Sequence, residues 1–197
     1  MGHPLTRLFT QAMSNLAWTQ WWAAPWLYAH DDWKSTDIYT TLVELHRSGL
    51  VVTGTHYGVA PCLPPMPDPA LLQLVIAPAA QLDLGLALVD GICRPASATA
   101  LDEHHLLWCK SLSKALPLDI MQADNDPLRL LRAWITAATW QRIRLRFPRQ
   151  RVLFLEEKPL MLNGSRSRLD TLWHAVVWRI GAPSHSDGAY ESWTQGD

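Results

Sequence analysis

The chain has 197 residues, of which 48% are hydrophobic and 18% charged, and its formal net charge is −1. That length fits one domain, or one domain with a small subdomain, and a chain of this size buries roughly 70% of its unfolded surface on folding. The near-zero charge excludes a global field for nucleic acid or an anionic membrane, and the apolar content excludes a disordered tail.

Residues 4 to 23 read as a helix, with Leu5, Leu8, Phe9, Ala12 and Leu16 at helical spacing. Pro25 ends or kinks that element. Leu8 to Ala29 holds no Asp, Glu, Lys or Arg, but Thr10, Gln11, Ser14, Asn15, Thr19, Gln20 and Pro25 make it too polar to span a membrane. The run Ala70 to Leu82 is too short and is interrupted by Gln73, Pro78 and Gln81. No basic start followed by a compact apolar stretch marks a secretory leader.

Asp31 and Asp32 can cap a second helix from Trp33 to about Arg47, with Gly49 at its C′ position. Residues 50 to 69 read as a Gly/Pro-rich connector with an extended piece at Leu50 to Thr53, because the prolines from Pro61 to Pro69 suit neither helix nor central strand. Helical spacing resumes at Pro69, and Pro78 starts a further helix carrying Leu82, Leu86 and Val89. Ser97 can cap a helix bearing Leu101, His105, Leu106, Trp108, Cys109 and Leu112. Asp126 and Pro127 form a cap and first-turn pair before Leu128, Leu131, Trp134, Ile135 and Ala138.

The period then changes. Arg142, Arg144 and Arg146 alternate with Ile143, Leu145 and Phe147, the period-two pattern of a half-buried strand. Val152 to Leu155 and Leu160 to Leu162 can pair as a hairpin. The final helix carries Leu169, Leu172, Trp173, Val176, Val177 and Ile180 on one face, and Gly181 and Pro183 stop it. The expected fold class is therefore mainly α: a single helical domain over residues 1–183 with a minor β element near residues 142–162. Residues 184–197 read as a flexible C-terminal tail.

Eleven tryptophans are the strongest compositional oddity. They serve as core or as interface anchors, and core is the reading preferred for the set. Cys62, Cys93 and Cys109 form an odd, sparse set that speaks against a disulfide framework and for a reducing, cytoplasmic compartment. Catalytic signatures are not found: there is no phosphate-binding glycine loop, CxxC, HExxH or nucleophile elbow. His104, His105 and Cys109 have metal-like spacing without a second pair of ligands. His30, Asp31 and Asp32 could bind a cation or act as a base, but a helix cap explains the aspartates more simply. Asp119, Asp124 and Asp126 lack the glycine and glutamate of a calcium loop. Asn163-Gly164-Ser165 reads as a turn. No cofactor, metal site or catalytic residue is expected.

Arg142, Arg144, Arg146, Arg149 and Arg151 fall within ten residues, with Arg166 and Arg168 behind. On a strand the first three share one face. Arg142, Arg144, Arg146, Arg149 and Arg151 are the candidate partner-binding residues, the first three as a docking strip for an acidic partner; the alternative is a solvated face.

Four segments carry a family resemblance: Ala24 to His30 (APWLYAH), Pro78 to Pro95 (PAAQLDLGLALVDGICRP), Trp140 to Pro148 (WQRIRLRFP) and Val152 to Leu162 (VLFLEEKPLML). In order and character the chain resembles the K component of the bacterial type III secretion apparatus, the YscK/SctK family of sorting-platform proteins. The resemblance implies a non-enzymatic cytoplasmic adaptor, peripheral to the inner membrane. It would link the cytoplasmic domain of the ring protein to the pod protein of the platform, without nucleic acid and without inserting in the membrane. A small helical chaperone or immunity-type binding protein is the alternative, and an enzyme with scattered His, Asp and Arg residues a further one.

Overall fold

The computed structural model describes residues 4–35, 37–50, 52, 54–66, 68–95, 101–116, 126–157 and 166–182. Every regular element among them is helical. The expected tail lies outside the described residues.

Helix α1 (Pro4–Ala23) ends at a 3₁₀ turn, Pro25–Tyr28. Proline at the first position of that turn has no N–H to leave unsatisfied. The expected helix from Trp33 to Arg47 is two helices, α2 (Asp31–Lys34) and α3 (Asp37–Arg47). The cap of α2 is His30, whose ring nitrogen accepts from the Asp32 amide, and not the aspartates. Gly49 has φ +75°, and α3 closes with Leu50 N donating to Leu45 O (3.1 Å) and Gly49 N to His46 O (3.0 Å). This is the paired-bond ending that a left-handed glycine permits.

The connector contains a 3₁₀ turn at Gly54–Tyr57 and no strand among its described residues. Its proline run is strapped to α1 by two indoles: Trp22 Nε1 donates to Cys62 O (2.9 Å) and Trp18 Nε1 to Pro65 O (3.0 Å). Asp68 caps α4 (Pro69–Ile76), accepting from the amides of Ala70 and Leu71. Helix α5 (Ala79–Cys93) follows Pro78 as the spacing predicts. Helix α6 (Glu103–Ala115) begins later than expected, capped by Asp102. Ser97 lies outside the described residues.

The stretch from Leu128 to Ala138 is not one helix. It divides into α7 (Leu128–Trp134) and α8 (Ala137–Ile143), because Ile135 is extended and the Thr136 hydroxyl recaps the chain by accepting from Thr139 N. The expected β element is also corrected. Residues 142–157 run through the end of α8, a 3₁₀ turn at Arg144–Arg146, and α9 (Arg149–Glu156). Burial alternates only from Ile143 to Phe147, where Ile143, Leu145 and Phe147 are buried and Arg144 and Arg146 half-buried, while Arg142 is itself buried. A tight turn sunk among other helices produces it without extended backbone. The second half of the expected hairpin lies outside the described residues.

Helix α10 (Arg166–Gly181) is the centre of the packing and touches α4, α5 and α7. Its buried face is Leu169, Leu172, Trp173, Val176, Val177 and Ile180, the stripe read from the sequence. Trp18, Trp21, Trp22, Trp26, Trp33, Trp134, Trp140 and Trp173 are all buried, so these tryptophans are core. Trp178 is 68% exposed.

Candidate functional site

The arginine segment forms no strip along one side of a strand. Arg142 is 3% exposed. Its guanidinium donates to three carbonyl oxygens: Nε to Trp22 (3.0 Å), Nη1 to Ala138 (2.9 Å) and Nη2 to Ala60 (3.0 Å). Burial pulls its pKa below the ordinary arginine value, with Cys62 opposing. Arg144 donates to Glu156 Oε2 (2.7 Å) and to Tyr57 O (2.6 Å). Gly58, at φ +66°, leaves room for that reach, because a Cβ there would stand 2.7 Å from Arg144 Nη2. Arg146 donates to Val75 O (2.5 Å) and Ala77 O (2.6 Å), carbonyls at the end of α4 that lack intrahelical partners.

Arg151 grips Asp126 with two bonds, of 2.6 and 2.7 Å. Burial works to raise the Asp126 carboxyl, but the Arg151 bonds and the Leu128 amide hold it below its ordinary value. Arg149 is exposed; its amide donates to Asp32 Oδ2 (3.2 Å) and its guanidinium lies 5.5 Å from the Trp33 ring centroid. Four of the five arginine side chains thus tie α8, the 3₁₀ turn and α9 to other parts of the fold. Arg166 and Arg168 are exposed at the start of α10.

The other sequence candidates separate in space. His105 pairs with Asp102 (2.8 Å), His104 with Arg179 (2.8 Å), and Cys109 is buried against Leu88 O. Among the described residues no three His, Cys, Asp or Glu side chains gather as metal ligands would. His30 and Asp31 serve α2, Asp31 pairing with Lys34 at 3.0 Å. Asp119, Asp124 and Asn163 lie outside the described residues.

Among the cavities lined by described residues, two gather more than one carboxylate. A cleft of about 550 Å³ is lined by Asp83, Asp90, Arg94, Asp126 and Arg151. Its charges are largely matched within the wall, Arg94 on Asp90 and Arg151 on Asp126. A smaller cavity of about 220 Å³ lies where Asp68 and α4 meet α7 and the start of α10. Its apolar wall is Met66, Leu71, Trp134 and Ile135, and Asp68, Asp170 and His174 face it. Trp134 stacks on Trp173 with centroids 5.8 Å apart and donates from Nε1 to Asp170 Oδ1 (2.8 Å). His174 Nδ1 lies 2.6 Å from Asp170 O, and its ring stands edge-on to Trp134.

Sequence reasoning placed Trp134 only on a helical stripe and passed over Asp68, Asp170 and His174 as site residues. Two signals were present. Asp68-Pro69 repeats the cap pattern of Asp126-Pro127, and His174 follows Asp170 by one helical turn on the polar flank of the last helix.

No protein-family model, curated protein or solved structure matches the chain. No described helix is long and apolar enough to cross a membrane.

Proposed function

We propose that the chain is a non-enzymatic adaptor of a bacterial type III secretion sorting platform. In this reading it acts on the cytoplasmic side of the inner membrane and joins the ring protein's cytoplasmic domain to the pod protein. The observation that carries the reading is that three of the four segments resembling the K component meet in one packed unit. His30 N donates to Leu145 O at 2.7 Å, joining the first segment to the third. Trp140 Nε1 donates to Glu156 Oε1 at 2.7 Å, joining the third to the fourth. Segments that share a family order and also brace one another behave as one module, which supports treating the resemblance as a property of the whole domain.

An adaptor needs a rigid frame and surfaces for partners. The arginine braces supply the frame, and the exposed Trp178 and Met66 supply apolar surface of the kind found at interfaces.

Affinity purification of the tagged chain from its native bacterium, with mass spectrometry of its companions, tests the proposal. Ring and pod proteins should co-purify. Exported substrates without ring or pod proteins would replace the adaptor by a chaperone. A tightly retained small metabolite would replace it by an enzyme.

A further inference from the structure

The geometry points to the cavity between α4, α7 and α10 as a receptor for an arginine side chain presented by a partner protein. The inference rests on the adaptor reading and names the chemistry of one docking point.

The polar groups lining this cavity are the carboxylates of Asp68 and Asp170, the His174 ring, the Thr136 and Thr139 hydroxyls and the Arg166 guanidinium. Asp68 Oδ1 is occupied by the amides that it caps, at 2.9 and 3.0 Å. Among the described residues its Oδ2 has only a 3.7 Å approach to His174 Nε2, too long for a hydrogen bond. Asp170 Oδ1 accepts from Trp134 Nε1, and its Oδ2 has no hydrogen bond among the described residues. The 2.6 Å contact to Asp170 O puts the His174 proton on Nδ1, because a carbonyl oxygen only accepts. The Thr136 and Thr139 hydroxyls bond each other at 2.9 Å. Arg166, exposed, is the one cation among the described lining residues.

Two open carboxylate oxygens, Asp68 Oδ2 and Asp170 Oδ2, beside an aliphatic wall call for a donor-rich cation on an apolar stem. A guanidinium brings five donors in a planar fork, and its methylenes can lie along Met66, Leu71 and Ile135. Met66, in the cavity wall, is 90% exposed, and Trp178, 68% exposed, stands one turn beyond His174 on the same flank of α10. The partner segment should therefore carry apolar residues next to its arginine.

The test uses the full chain labelled with ¹⁵N and three probes: the N-acetyl amides of arginine, lysine and citrulline. Arginine should shift the Trp134 indole and Ile135 amide signals in a saturable way. Citrulline has the same shape without the charge and should bind at least about tenfold more weakly, and lysine should fall between. Asp68→Asn keeps a capping oxygen, and Asp170→Asn keeps an acceptor for Trp134, so both variants keep their structural bonds. Each should weaken arginine binding about threefold or more. Equal binding of citrulline, unchanged affinity in both variants, or no saturable shift with arginine would overturn the inference. If the double variant still co-purifies ring and pod proteins undiminished, the receptor assignment fails and the adaptor stands. Arginine binding in a chain that recovers no secretion companion would leave the receptor and remove the adaptor.

Discussion

The Arg142 guanidinium lies over the Trp22 indole, 3.9 Å from the ring centroid, while its Nε donates to the same residue's carbonyl oxygen at 3.0 Å. One side chain thereby holds both the ring and the backbone of the last turn of α1. Through Nη2 and Ala60 it also holds the connector that follows α3.

Replacing Arg142 by Met should cost about 2–4 kcal/mol, because the Trp22 and Ala60 carbonyls lose their donor in a buried place. Arg142→Lys should recover only part of this, since an ammonium on a flexible stem cannot span three fixed acceptors. Urea midpoints of the two variants check the claim. A loss below about 0.5 kcal/mol for the Met variant would place Arg142 in solvent.

Trp173 sits in the centre of α10's buried face and stacks on Trp134. Trp173→Ala should cost about 3–5 kcal/mol in denaturant unfolding. A cost under about 1 kcal/mol would mean that this face is not packed in the isolated chain.

Acid should act through Asp126. Its carboxyl is held below the ordinary value of 3.8 in the fold. A depressed carboxyl contributes stability that is fully present above the unfolded pKa and is lost as pH falls through the folded one. Stability measured by urea should therefore fall below about pH 4, and Asp126→Asn should show a shallower fall while being less stable near neutrality. Parallel acid limbs for the two proteins would remove Asp126 from the account.

The three thiols should differ in reactivity. Burial pushes Cys93 up to about 12 and Cys109 up to about 11, so neither supplies thiolate near neutrality. Cys62 is exposed in the proline run. A chromogenic disulfide reagent should titrate one thiol promptly in the native chain and all three in urea. Prompt reaction of a second thiol would show that the α5–α6 region opens readily.

Legibility followed locality. The α10 stripe, the α4 start at Pro69 and the Gly49 ending were readable because each is set by residues within a few positions. The division at Ile135 was not, because its apolar spacing continues across the break and only the Thr136 hydroxyl marks the restart. The arginine segment misled for a different reason. Alternating burial matches a strand whenever a short segment is enclosed from both sides, and nothing near in sequence reveals that the Trp22, Tyr57, Ala60, Val75 and Ala77 carbonyls held by Arg142, Arg144 and Arg146 lie 69 to 120 residues upstream. The cavity was hidden likewise, since Asp68 comes from the cap of α4, Trp134 from α7 and Asp170 from α10.

Those long reaches set a timetable for the nascent chain. Val75 leaves the ribosome 71 residues before Arg146, its donor. At ~5–20 residues per second, that gap is on the order of 4–14 seconds during which the end of α4 lacks its cation. Trp22 waits longer still, for a partner 120 residues downstream. The first half of the chain therefore emerges with the Trp33 indole and the Trp22, Tyr57, Ala60, Val75 and Ala77 carbonyls still without their partners, and completion of the fold belongs to the later part of synthesis.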